Sequence, residues 1–208
     1  VIETESGPAE RVVYAVPGVP HEMREMFERA ILPDLQQRSG EHWTIASRTL
    51  RTWGESESGL NERLDDIIHD LDAEGNPTLA FLASGWEGLK VLLTGRAPDE
   101  GAAAALLAPW EKKIREVLGD QVFGVDNDTM ESVVLDLLRA QGWTLALAES
   151  VTGGLVSGRL TGVAGASEVF RGAVVSYASE VKFDVLGVEE GPVVTEEAAI
   201  AMAEGARK

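Results

Sequence analysis

The residues of this sequence best suited to chemistry stand together at Ala148-Glu149-Ser150-Val151-Thr152-Gly153-Gly154, where an apolar run meets a helical pattern. A strand that ends in Ser, Thr and Gly and turns at once into a helix presents free backbone N–H groups at the positive end of the helix dipole. Such a turn can hold a phosphate or an oxyanion, and Gly153-Gly154 let a ligand approach the backbone. A Ser at the carboxyl end of a strand in an open α/β sheet also lies where ligands bind in that architecture. The same residues serve equally well as plain capping, with Ser150 or Thr152 closing the helix start and the glycines making the turn. No Gly-Lys-Ser/Thr follows, so the segment is not a Walker A loop.

A nucleophilic Ser needs a base. The three histidines, His21, His42 and His69, all lie outside this part of the chain, and no pair of them has metal-ligand spacing. His21 and His69 read as exposed helix residues. A Ser-His-Asp triad within this part of the chain is therefore excluded, and Lys182 and Tyr177 are the remaining candidate partners for Ser150. A partly desolvated Lys gives up its proton more readily and can act as a general base, while a Tyr can relay a proton or stabilise charge. Spacing alone is equally satisfied by a surface Lys on a helix and a Tyr packed at a strand end.

Composition narrows the alternatives. The chain of 208 residues carries 18 Lys+Arg against 35 Asp+Glu, a net charge of −17, and no Cys. Disulfides, thiolate catalysis and Cys-ligated metal centres are excluded. The acidity sets the chain against phosphate backbones and anionic lipid, so neither nucleic acid nor membrane is an expected partner. No apolar run reaches the roughly 18–20 residues that span a bilayer. A cytoplasmic protein is expected. The polar start at Val1 and a last helix without a Gly or Asn cap read as the two ends of an internal fragment.

Three blocks must position these residues. In the first, 1–41, Arg11 to Val16 reads as a buried strand. After the turn Pro17-Gly18-Val19-Pro20, a helix follows from His21 to Gln37, with Met23, Met26, Phe27, Ala30 and Ile31 at helical spacing. Pro33 should end or kink it. The second block, 42–125, runs from the extended Trp43–Trp53 through a helix carrying Leu60, Leu64, Ile67, Ile68 and Leu71. The runs Thr78–Ala83 and Leu89–Thr94 form a hairpin around 84–88, followed by an Ala-rich helix from Glu100 to Leu118 and a strand from Gln121 to Val125. The order β-α-β-β-α-β is the split-βαβ pattern of a small, KH-like α+β domain. In the third block, 126–208, Asp128 and Glu131 look like a capping box, and Gly142 ends the helix. The strand Trp143–Ala148, a helix through Leu155 and Leu160, the strand Phe170–Tyr177 and helices at 180–186 and 195–207 follow. This alternation predicts a mostly parallel sheet covered on both faces. Together the blocks give an α/β chain: a partial three-layer α/β element, the small α+β domain and an incomplete three-layer α/β domain.

The residues AESVTGG (148–154), Gly165-Ala166-Ser167, Phe170-Arg171-Gly172 and VSYASEVKFDVLGV (175–188) resemble the C-terminal domain of the CinA family. VPGVPHEM (16–23) resembles the end of that family's N-terminal domain, which has a molybdopterin-binding-like fold. The resemblance implies a nicotinamide-nucleotide amidohydrolase in pyridine nucleotide recycling, which converts nicotinamide mononucleotide (NMN) to nicotinate mononucleotide and ammonia. It implies Ser150 as nucleophile, Lys182 as base and Tyr177 as assistant, with Glu149, Thr152, Gly153, Gly154 and Ser176 around the substrate. No metal or redox cofactor is implied for this step. An ADP-ribose pyrophosphatase activity, with a divalent metal, is implied for the parent's N-terminal domain, and a homo-oligomer, a dimer, is expected. Val151 stands where the family often has Cys, and Ser179 where it often has Asn. The chain also stops before the family's later G-x-A-G-P segment.

Two other readings compete. One is a competence- or repair-related module that binds nucleic acid or protein, against which stand the net charge and the lack of a G-x-x-G loop with basic flanks. The other makes the middle block a spacer and dimerisation element, with Trp43, Trp53, Trp86 and Trp110 as core or interface anchors rather than base-stacking platforms.

Overall fold

The computed structural model describes residues 2–4, 11–40, 43–83 and 85–208. His42 and Ser84 lie outside the described residues. Strands β1 (Ile2–Thr4) and β2 (Arg11–Val13) pair antiparallel. A helical run then continues as α1 (Pro20–Met26), a π-helical turn (Phe27–Ile31) and α2 (Leu32–Ser39). An α-helix that reached Pro33 would press its ring on the carbonyl of residue 29. The wide turn removes that clash, and the Leu32 N–H reaches back five residues to the Phe27 carbonyl. The expected kink is thus a widened turn. The expected buried strand is shorter than the apolar run, and Val13 and Val16 are exposed, as are Met26, Phe27 and Leu35 on the helices. No residue of α1 or α2 is buried.

The middle of the chain folds as a four-stranded antiparallel sheet in the order β4-β5-β3-β6, formed by β3 (Thr44–Thr52), β4 (Thr78–Ala83), β5 (Leu89–Ala97) and β6 (Val122–Val125). With helices α3 (Glu57–Arg63), α4 (Asp65–Glu74) and α5 (Glu100–Leu118), this is the expected split-βαβ arrangement. The single helix expected over 60–71 breaks at Leu64, which leaves the helical region at φ −99° and ψ 8°. Alternate residues of β3 and β5 point to the helices. Leu50, Val91 and Leu93 pack there on Leu60, Leu71, Leu107, Trp110 and Ile114. The opposite face is open to water at Ile45 and Ser47 and is partly covered at its other end, around Arg51.

The connection to the last part, residues 126–129, opens with Asp126 in the left-handed region at φ 48°. Its position is held from β3: the Asp126 carboxylate accepts from the Thr49 N–H at 3.0 Å and from Arg48, and its carbonyl accepts from Arg51 Nε at 2.9 Å. Helix α6 (Met130–Gln141) begins one residue later than the sequence suggests. Thr129 and Ser132 form the capping box, while the Asp128 carboxylate turns back to the Val125 N–H.

Strands β7 (Leu145–Glu149) and β8 (Phe170–Val175) pair in parallel. On one face Leu145 and Leu147 pack with Leu135 and Leu138 of α6 and Leu160 of α7 (Leu155–Thr161). On the other, Ala148 and Val174 meet Phe183 of α8 (Ser179–Asp184) and Ala198, Ala201 and Met202 of α9 (Glu196–Arg207). The period-2 alternation of a strand thereby makes three layers from a two-stranded sheet. Among the described residues no helix is long and apolar enough to cross a membrane.

Leu50 has no exposed surface, whereas Ile45 on the same strand is 72% exposed. Leu50→Ala is expected to lose about 2–5 kcal/mol by urea denaturation, and Ile45→Ala less than about 0.5 kcal/mol.

Candidate active site

Strand β7 ends in a carboxylate that is 4% exposed. Glu149 accepts hydrogen bonds from the backbone N–H groups of Gly154 at 3.0 Å, Val156 at 3.1 Å and Ser157 at 2.8 Å. Burial alone would push its pKa up, but the hydrogen bonds from Ser157, Thr152 and Val156 outweigh it and hold the group at about 2. The side chain therefore takes the first amides of α7 as an internal anion. For that to happen the chain must curl tightly between 150 and 155, and Gly153 and Gly154 supply the left-handed residues at φ 60° and 97°. A Cβ on Gly154 would also stand 3.3 Å from Val175 Cγ2. The glycines serve the turn before they serve any ligand.

Ser150 rides on this curl, half-buried, at the mouth of a cleft of about 720 Å³. Lys182 of α8 lines the same cleft, and Val193, Val194 and Met202 give it a mainly apolar far wall. The volume lies within the range of small-molecule sites. Lys182 is 3% exposed; its Nζ donates to the Ser176 carbonyl and, at 3.5 Å, to the Tyr177 carbonyl. Two carbonyls thus fix the amine, and one position on Nζ is left for the cleft. Among the described residues no hydrogen bond occupies the Val151 or Thr152 N–H. The turn therefore retains two donors next to Ser150 that Glu149 has not taken.

The other expected site residues are placed differently. Ser176 is fully buried, with its hydroxyl and amide both on the Glu149 carbonyl at 3.2 and 2.7 Å, so it ties β8 to β7. Glu149 and the Gly154 amide are committed to each other and have no free atom to offer a substrate. Tyr177 turns its ring outward, 74% exposed, and meets the site through its carbonyl. His21 and His69 are exposed on their helices. Among the described residues no group of three or more His, Cys, Asp or Glu is arranged to hold a metal ion, so the divalent metal implied for an N-terminal domain finds no fitting ligand set in them. Sequence reasoning missed the wall supplied by residues 193–203. Its one signal was the Thr195 cap, which places the start of α9 beside the cleft.

The chain matches two family models, the damage-inducible protein CinA KH domain over residues 47–124 and the CinA C-terminal domain over residues 127–208. It is 50% identical over 201 residues to a CinA-like protein of Frankia casuarinae, covering 94% of this chain and 46% of that one. A CinA-like protein of Gloeobacter violaceus is 42% identical over 200 residues, again 94% of this chain and 46% of the relative. The chain thus spans about half the length of these relatives. A crystal structure of competence/damage inducible protein CihA from Agrobacterium tumefaciens is 34% identical, covering 36% of this chain and 49% of that one, at a TM-score of 0.35.

A carboxyl held at about 2 stabilises the fold above its unfolded pKa near 4.5 and loses that contribution as pH falls toward 2. Glu149→Gln, which cannot ionise, is expected to fall furthest below the unmodified protein above pH ~5 and to converge with it near pH ~2. Thermal unfolding of both across that range checks this, and a pH-independent gap would contradict it. At neutral pH, Glu149→Ala is expected to cost roughly 2–4 kcal/mol, because it strands buried amide donors.

Proposed function

The chain belongs to the CinA family, and on that footing we propose that its C-terminal part is an amidohydrolase that converts NMN to nicotinate mononucleotide and ammonia. One observation carries this reading: Ser150, at the carboxyl end of β7, and Lys182 line one cleft of about 720 Å³. A serine and a lysine with no histidine between them suit hydrolysis of an unactivated carboxamide by acyl transfer.

In the proposed reaction Lys182 Nζ takes the Ser150 hydroxyl proton as Oγ adds to the amide carbon. The Val151 and Thr152 N–H groups receive the oxyanion, since the amides further along belong to Glu149. Lys182 returns the proton to the departing nitrogen, the C–N bond breaks and ammonia leaves an ester on Ser150. Water then gives a proton to Lys182 and its oxygen to the acyl carbon; Lys182 passes that proton to Ser150 Oγ as the ester C–O bond breaks, and the acid released loses its remaining proton to solvent as the carboxylate. The carbonyls of Ser176 and Tyr177 hold the amine through both transfers, and no step requires the Tyr177 ring. No proton or electron pair in this sequence needs a metal or redox cofactor.

Ammonia release from NMN, followed with the parent protein and with this chain, tests the proposal. Ser150→Ala and Lys182→Ala are each expected to lower kcat by at least about a thousandfold with the fold intact. Tyr177→Phe is expected to change it by less than about threefold. Turnover retained in Ser150→Ala would remove Ser150 from the nucleophile's role.

A further inference from the structure

A second cleft, of about 450 Å³, opens between the middle sheet and the C-terminal layers and shares no residue with the one that holds Ser150. Trp53, Trp86 and Phe123 line it from the sheet side, and Glu131 of α6 and Arg159 of α7 from the other. Trp53 and Trp86 are 52% and 59% exposed, so two indole rings are left facing water inside a concave site. Buried Trp110 has a core to explain it; these two do not.

The cations at the cleft are already paired. Arg159 lies over the Trp86 ring at 4.4 Å from its centroid, and its Nε is paired with Glu131. Arg51 is held by the Asp126 carbonyl at 2.9 Å and by Glu87 at 3.4 Å. Arg51 and Lys90, the latter at 3.5 Å, share Glu87, and Arg159 pairs with Glu131, so each of these cations already has a carboxylate partner and none stands free to select a phosphate. What the cleft offers is aromatic surface for stacking, with donors from Arg159 and acceptors from Glu131 and Glu87 at its rim. A flat ring whose edge carries both donors and acceptors matches that set, whereas a hydrocarbon ring would leave the rim unpaired. The volume suits a single nucleoside.

We propose that this interdomain cleft binds an uncharged nucleoside, its base stacked on Trp86 and Trp53 and its edge read by Arg159 and Glu131. Stacking supplies most of the binding, which depends little on salt because no phosphate is neutralised.

Isothermal titration of the full chain with adenosine and with cytidine tests this. The expected result is saturable binding of at least one of them, unchanged between 50 and 500 mM NaCl (about a tenfold range of ionic strength). Binding is expected to weaken about tenfold or more in Trp86→Ala, and likewise in Trp53→Ala should the first variant lose its circular dichroism spectrum. Adenosine 5′-monophosphate is expected to bind no more tightly than adenosine. Ser150→Ala is expected to bind as the unmodified protein does, which separates the fate of this site from that of the amidohydrolase. The proposal is overturned by an absence of saturable heat at millimolar nucleoside or by binding that survives both tryptophan variants. A preference for the monophosphate or for a single-stranded oligonucleotide that fades with salt would overturn it too.

Discussion

A carboxylate enclosed at the end of a β-strand needs donors, and Glu149 finds them in the first amides of the helix that follows its own strand. Strand β7, the turn at 150–154 and α7 are thereby closed into one unit. The direction in which Ser150 leaves the sheet follows from that closure, because the turn has no other anchor of comparable strength. The Glu149 carbonyl fixes the neighbouring strand as well, through both the amide and the hydroxyl of Ser176. The Ser176 carbonyl in turn receives the Lys182 amine. Hydrogen bonds therefore link Glu149 through Ser176 to the Lys182 amine, and the positions of Ser150 and Lys182 depend on the same residue.

The hydrophobic layers make this arrangement durable. Leu135, Leu160 and Phe170 fill one face of the β7–β8 pair, and Leu186, Ala198 and Met202 fill the other. Burial of these side chains is the main driving force for the layers, whereas the polar links decide which of many compact arrangements is adopted. Close approach matters too. A Cβ on Gly205 would fall 2.2 Å from the Leu186 carbonyl, so α9 can lie against the end of α8 only with glycine there. The cleft depends on that approach, because α9 provides its far wall. At the other end, Asp126 joins the middle sheet to α6 through Arg48, Thr49 and Arg51 and shapes the crevice where Trp86 meets Arg159.

Much of the fold was legible because it rests on periodicity. The alternation in β3 and β5 and the 3.6-residue spacing of Leu60, Leu64, Ile67 and Leu71 predict the one-sided sheet and its helical cover. Where the reading departs from the structure, a local competition decided the outcome. Asp128 could cap α6, but it reaches back to the Val125 amide, and the cap passes to Thr129. Pro33 could break a helix, and a wider turn absorbs it. At the site, residue types pointed to Ser150 and Lys182, and the structure places both on one cleft. The part played by Glu149 was hidden because a glutamate at a strand end resembles any solvated one. Only the fold shows that it is enclosed and that the helix amides turn to it rather than to a ligand. Tyr177 sits next to a buried serine in sequence, yet it lies two residues beyond the end of β8 with its ring turned to solvent.

The central claim is that Ser150 carries the acyl group of a carboxamide substrate. The most direct measurement is mass spectrometry of protein quenched in acid during turnover of NMN, with the peptide containing Ser150 isolated. The expected result is an ester-linked nicotinate nucleotide on Ser150 that hydroxylamine removes and that Ser150→Ala does not form. Turnover with an unmodified Ser150 peptide at every quench time, and with hydroxylamine failing to divert any product, would contradict it.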